Sequence, residues 1–186
     1  EDIAFKIAPR INSVGRISNP NIILDLFSES NDQKINNLAL RIENVNNDRK
    51  RICSNIMDEA LEIVDKDTQS DSLFFMVTGN NWHPGVIGIV ASRILDKYNK
   101  PVAVMTSVSN TMYRASARAP YSFNLIAALD SSKHLLESYG GHKAAAGFTV
   151  SKVNINNLRF NLNNLCKTYP KDTFIPIIAP DSSINF

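Results

Sequence analysis

The chain has 186 residues, 44% of them apolar and 20% charged, which is enough for one to one and a half ordinary globular domains. Its 20 Lys and Arg against 18 Asp and Glu leave a net charge of only +2, which argues against a basic coat that holds duplex DNA by charge alone and makes any nucleic-acid site a local one. Cys53 and Cys166 have no Cys or His at ligand spacing, and no apolar stretch is long enough to span a bilayer; a disulfide framework, a zinc site and a membrane span are therefore not indicated, and the cytoplasm is the expected compartment.

The first cluster of interest is Pro9 to Arg16, where Arg10, Asn12 and Arg16 stand beside the permissive Gly15. Forked guanidiniums suit phosphate oxygens, although two nearby arginines serve equally well as surface or ion-pair residues. From Asp32 a very long helix is predicted, because Ile35, Leu38, Ile42, Val45, Ile52, Ile56, Ala60 and Ile63 recur at helical spacing without Pro or Gly, with Arg49 interrupting the stripe. The polar segment 65–72 is the expected internal boundary.

Next, 73–78 reads as a buried strand, 86–98 as a helix and 101–105 as a second, parallel strand, a βαβ unit. The turn between the first strand and the helix, Asn80 to Gly85, is a natural anion site, with His83 and the Gly85 amide as donors; alternatively Trp82 packs the loop and His83 caps the helix. Gly88 points to close helix packing. Residues 112–118 read as a strand that places Arg114, Ser116 and Arg118 on one face and Tyr113, Ala115 and Ala117 on the other. That face of donors suits a phosphate, and equally an edge strand guarded by charge.

Segments 123–129 and 135–139 read as short helices, 148–150 as a strand and 155–169 as a closing helix. Between them, Gly140, Gly141, His142, Lys143, Ala144, Ala145, Ala146 and Gly147 form a run in which only His142 and Lys143 carry sizeable side chains, so backbone can approach a ligand while two donors project. Tight packing under a turn is the alternative. The chain opens at Glu1 without a methionine and closes in an apolar run, and is expected to be a piece of a longer one.

Taken in order, Arg10-Ile-Asn-Ser-Val-Gly-Arg16, the 43–50 portion of the long helix, Trp82-His-Pro-Gly-Val-Ile-Gly-Ile89, Ser116-Ala-Arg118 and Gly140-Gly-His-Lys-Ala-Ala-Ala-Gly147 resemble the RecJ family of single-strand-specific exonucleases, members of the DHH phosphoesterases. The resemblance runs from Pro9 to about Val150. It implies an α/β fold with a small mixed sheet flanked by helices and preceded by a long connecting helix. It divides the chain into the tail of a metal-binding lobe (1–31), the connecting helix (32–68), a DHHA1 substrate-binding domain (69–170) and the start of an OB-fold (171–186).

The same resemblance implies 5′-to-3′ digestion of single-stranded DNA in repair and recombination, with Mn²⁺ or Mg²⁺ as cofactor, and a repair helicase or single-strand-binding protein as candidate partners. It assigns Arg10 and Arg16 to backbone phosphates, Ser116 and Arg118 to the terminal 5′-phosphate, and His142, with the Gly140 and Gly141 amides, to the phosphate under attack. Asn12 and Lys143 join the binding set, and His83 and Gly85 are lesser helpers. No Asp-His-His triplet is present, and His83, His134 and His142 cannot replace it, so the chain alone is expected to be inactive. A related phosphoesterase acting on oligoribonucleotides or cyclic dinucleotides, or a non-catalytic interaction domain, are the alternatives.

Overall fold

The computed structural model describes residues 1–68 and 71–175. A single π-helical turn, Ile3–Ile7, leads into helices α1 (Ala8–Ile17) and α2 (Asn21–Ser28), and then α3 (Asp32–Thr68). At 1.5 Å per residue α3 is about 55 Å long, and it serves two separate cores. Its first half closes a small cluster with Val14 and Ile22 through Ile42. Its second half presents Cys53, Ile56, Ala60 and Val64 to the α/β unit. Where the apolar stripe is broken, Asn46 is buried and accepts a hydrogen bond from Arg49 at 2.7 Å. Cys53 and Val64, absent from the stripe read in the sequence, are fully buried. The polar boundary expected at 65–72 begins late, because α3 continues through Thr68.

Five strands follow: β1 (Phe75–Gly79), β2 (Val102–Ser107), β3 (Met112–Arg118), β4 (Leu136–Gly141) and β5 (Ala145–Ser151). They form one sheet in the order β1-β2-β3-β5-β4, with β1 and β2 parallel as expected of the βαβ unit and the other neighbours antiparallel. Helix α4 (Pro84–Tyr98) joins the parallel pair, and α5 (Leu125–Ser131) and α6 (Ile155–Lys167) complete the unit.

Strand alternation divides the sheet into unequal faces. One face carries Phe74, Met76, Ala103, Met105, Ala115 and Ala117, and packs under Leu125, Leu129, Leu158 and Leu162 of α5 and α6. On the other, Phe75, Val77, Val102 and Val104 pack under α4 through Val86, Val90 and Ile94. Helix α4 lies over β2 and β3 on that second face, and α3 packs against β1. Over β5 and β4, and at the Arg114 end of β3, the face stays open, with Arg114, Ser138, Gly140 and Gly147 exposed.

The short helix expected at 135–139 is a strand. A 3₁₀ turn, Lys133–Leu135, precedes it, and β4 starts at Leu136. The register shifts between Leu136 and Ser138, so a bulge breaks the period-two pattern that would have revealed a strand, leaving Leu135, Leu136 and Tyr139 at apparent helical spacing. For the same reason the glycine run is not a free loop: Gly140 and Gly141 belong to β4 and pair with Gly147 and Ala146, and β5 is longer than the three residues expected of it. Residues 176–186 of the expected OB-fold segment lie outside the described residues; its first residues, Lys171–Phe174, form a 3₁₀ turn.

Candidate functional site

Glycines bring α1, α4 and β3 together. A Cβ on Gly85 would stand 2.0 Å from the Arg16 carbonyl oxygen, so the last turn of α1 lies directly on the first turn of α4. Arg16 Nη1 donates to the Gly85 carbonyl at 3.2 Å and ties the two ends. One turn on, a Cβ on Gly88 would meet Ser116 Oγ at 2.9 Å and Arg118 Nη2 at 3.3 Å. The absent side chain lets α4 settle against β3 where the donors stand.

Arg118 Nη1 donates to Ser116 Oγ at 3.2 Å and to the Ala117 carbonyl at 2.8 Å, which holds the guanidinium along its own strand. Burial, and then the neighbouring positive charge of Arg16, lower the pKa of Arg118 below its usual value. Two like charges held together on a half-buried floor favour an anion between them, because an anion relieves both the repulsion and the desolvation. Arg16, Ser116 and Arg118, from two clusters remote in sequence, thus come together.

The floor beside this site is nearly bare. Ser116 pairs with Gly147, which pairs with Gly140, and cross-strand partners share a face. A Cβ on Gly140 would meet nothing within 4 Å, and one on Gly147 only the Ala115 carbonyl at 3.5 Å, so internal packing demands neither glycine. Gly141 is different: its φ is +146°, and a Cβ would sit 2.4 Å from the Ala145 carbonyl oxygen. That glycine shapes the tight β4–β5 hairpin, where the His142 amide donates to Ala145 at 2.7 Å. Packing under the turn therefore accounts for Gly141, and does not account for Gly140 or Gly147.

His142 and Lys143 are exposed at the hairpin tip, with Lys143 Nζ 5.1 Å from the centroid of the Tyr121 ring. Asn12 is exposed one helical turn before Arg16, on the same side of α1. Arg10 is placed otherwise. Its Nε is bound by Glu43 and its Nη1 by the Lys6 carbonyl, so it anchors α1 to α3 and is already neutralised. His83 and Gly85 also differ from the expected donors: His83 Nδ1 accepts from the Gly85 amide at 3.1 Å as the N-cap of α4. The Gly85 amide and His83 Nδ1 are thereby used on each other. Trp82 is buried and donates to Glu59 at 2.7 Å, the packing role set out as the alternative.

Sequence reading set Gly147 in the glycine run but not on the sheet face, and missed the Thr149 and Ser138 hydroxyls, which share the open face with Arg114. A glycine inside a strand is the signal that could have found the first; the pairing of β4 was needed for the others. Among the described residues no group of His, Cys, Asp and Glu comes together to hold a metal ion, and no helix is long and apolar enough to cross a membrane.

Residues 70–168, which hold this sheet and its half-open face, match the model of the DHHA1 domain, and the chain belongs to that family. The relatives it matches carry one name. It is 33% identical over 183 residues to the single-stranded-DNA-specific exonuclease RecJ of Bacillus subtilis, an alignment covering 97% of this chain and 23% of the relative. With RecJ of Thermus thermophilus it shares 32% over 151 residues, 81% of this chain and 21% of that one. The crystal structure of the Thermus protein in complex with Mg²⁺ matches at a TM-score of 0.81 and 27% identity, over 91% of this chain and 26% of that chain; the Mn²⁺ complex gives the same score. The chain therefore spans about a quarter of the length of these relatives, and the resemblance carried by its motifs is borne out.

Proposed function

We propose that this chain is the substrate-holding part of a metal-dependent, 5′-to-3′ single-stranded-DNA exonuclease acting in DNA repair and recombination. The observation that carries the reading is the meeting of Arg16, Ser116 and Arg118 beside a glycine floor that packing alone does not require. Arg118 and Ser116 grip the terminal 5′-phosphate, Arg16 neutralises it from the facing helix, and the strand lies over Gly140 and Gly147. His142, at the hairpin tip, is free to donate to the phosphodiester under attack, with Lys143 beside it; of the successive Gly140 and Gly141 amides, which point to opposite edges of β4, the outward one helps.

In this reading 1–31 is the end of a metal-binding lobe, 32–68 the connecting helix, 69–170 the DHHA1 domain and 171–186 the start of an OB-fold. The described residues do not fit a divalent ion, since they bring no ligand cluster together. What this chain supplies is binding and orientation, and by itself it is inactive. A repair helicase or single-strand-binding protein delivers the strand in the cytoplasm.

The test is Arg118→Ala in the full-length enzyme. Losing a charge-assisted contact of about 1.5–3 kcal/mol lowers kcat/KM on 5′-phosphorylated single strands by about one to two orders of magnitude. A 5′-hydroxyl strand, which has no terminal phosphate to lose, is the control. Equal losses on the two substrates would refute the assignment.

A further inference from the structure

Beyond the cradle of Ser116 and Arg118, the same open face carries a second set of donors. Arg114 on β3 pairs with Thr149 on β5, which pairs with Ser138 on β4, so the three side chains stand in one row across the sheet. Ser116, Gly147 and Gly140 form the adjoining row. Between them lies an open hollow of about 320 Å³ lined by Arg114, Ser138, Gly140, Gly147 and Thr149. Among the described residues the Arg114 guanidinium and the Ser138 and Thr149 hydroxyls have no hydrogen-bond partner, whereas Arg118 is held by Ser116 and Arg16 by Gly85. Rows two residues apart are separated by about 6.8 Å along a strand.

We infer that the Arg114–Thr149–Ser138 row is a second phosphate subsite, taking the phosphate next to the one gripped by Arg118. This deepens the function proposed above and rests on it. A fork with two flanking hydroxyls supplies the donors a phosphate diester accepts. The bare glycines of the adjoining row leave room for the sugar that links two phosphates, which favours the next phosphodiester of the strand as the source. The β-phosphate of a 5′-diphosphate end has the same chemistry but lies closer to the first phosphate.

The experiment is an NMR titration of the 186-residue chain, wild type and Arg114→Ala, with thymidine 5′-monophosphate, thymidine 5′-diphosphate and 5′-phosphorylated dithymidylate. Arg114→Ala is expected to leave the monophosphate affinity unchanged and to weaken the dithymidylate about five- to tenfold, with Arg114→Lys restoring part of it. A loss with the diphosphate instead would keep the subsite and change its source. Wild-type affinity of Arg114→Ala for both two-phosphate ligands, or an equal loss with the monophosphate, would overturn the inference. Arg118→Ala separates the two levels: if it binds the monophosphate as well as wild type does, the underlying reading fails, whatever Arg114 does.

Discussion

Gly88→Ala separates the stability of this chain from its binding. Position 88 lies in the interior of α4, where alanine is favoured over glycine by about 0.8–1.0 kcal/mol. The added methyl meets Ser116 Oγ at 2.9 Å and Arg118 Nη2 at 3.3 Å. Neither atom is backbone. The serine hydroxyl can turn away at a cost of about 0.5–1.5 kcal/mol, and the guanidinium is the far end of a flexible side chain, so the two effects nearly cancel and net stability changes by less than about 1 kcal/mol. The cradle does not survive the same movement. The hydrogen bond from Arg118 to Ser116, 3.2 Å long, is what aligns fork and hydroxyl for one phosphate. Losing one charge-assisted contact is worth about 1.5–3 kcal/mol, and because Arg118 is only half-buried the lower end applies, about tenfold in affinity. Urea denaturation and titration with 5′-phosphorylated and 5′-hydroxyl oligonucleotides measure both quantities on one preparation. Undiminished preference for the phosphorylated end in a folded Gly88→Ala protein would refute the placement of the phosphate at the Ser116–Arg118 cradle.

The floor glycines should respond in opposite ways: Gly140→Ala keeps wild-type stability but binds single strands more weakly, whereas Gly141→Ala, forced to a φ of +146°, loses about 1–3 kcal/mol in denaturation experiments. At the far edge of the sheet, Asn163 Oδ1 accepts from the Leu73 and Phe74 amides at 2.8 and 3.0 Å and Nδ2 donates to Phe74 at 3.1 Å, so Asn163→Ala should cost about 1–3 kcal/mol by urea titration while leaving phosphate binding intact. Burial pushes the Cys166 thiol from 9.0 up to about 12. The unfolded chain thus loses this proton first, and stability falls as pH rises from about 9 toward 12; Cys166→Ala, compared with wild type across that range, should show a flatter pH dependence of the denaturation midpoint.

Local periodicity was sufficient for the βαβ unit, for β3 and for the sidedness of Arg114, Ser116 and Arg118, since alternation along a strand depends only on near neighbours. It failed at β4, where a bulge shifts the register between Leu136 and Ser138 and the strand shows itself only by pairing with β5. The two central arginines of the first cluster illustrate the same limit. Arg10 and Arg16 look alike in sequence, yet one is spent on Glu43 across the α1–α3 contact and the other reaches Gly85 across the α1–α4 contact and lies near Arg118 of β3. His83 likewise matched an anion donor by position but was taken by the amide two residues on.

By itself, then, the sequence determined which residue types are available, on which face of each regular element they stand, and the order of motifs that marks the family. Tertiary structure alone decided which of those groups are free. Whether a guanidinium meets a carboxylate or a substrate, and whether a glycine is kept for its backbone, for a neighbouring helix or for an open floor, depends on contacts between segments remote along the chain. Gly141, Gly88 and Gly140 are the same residue in sequence, and only their surroundings make them a hairpin hinge, a helix seat and a binding surface.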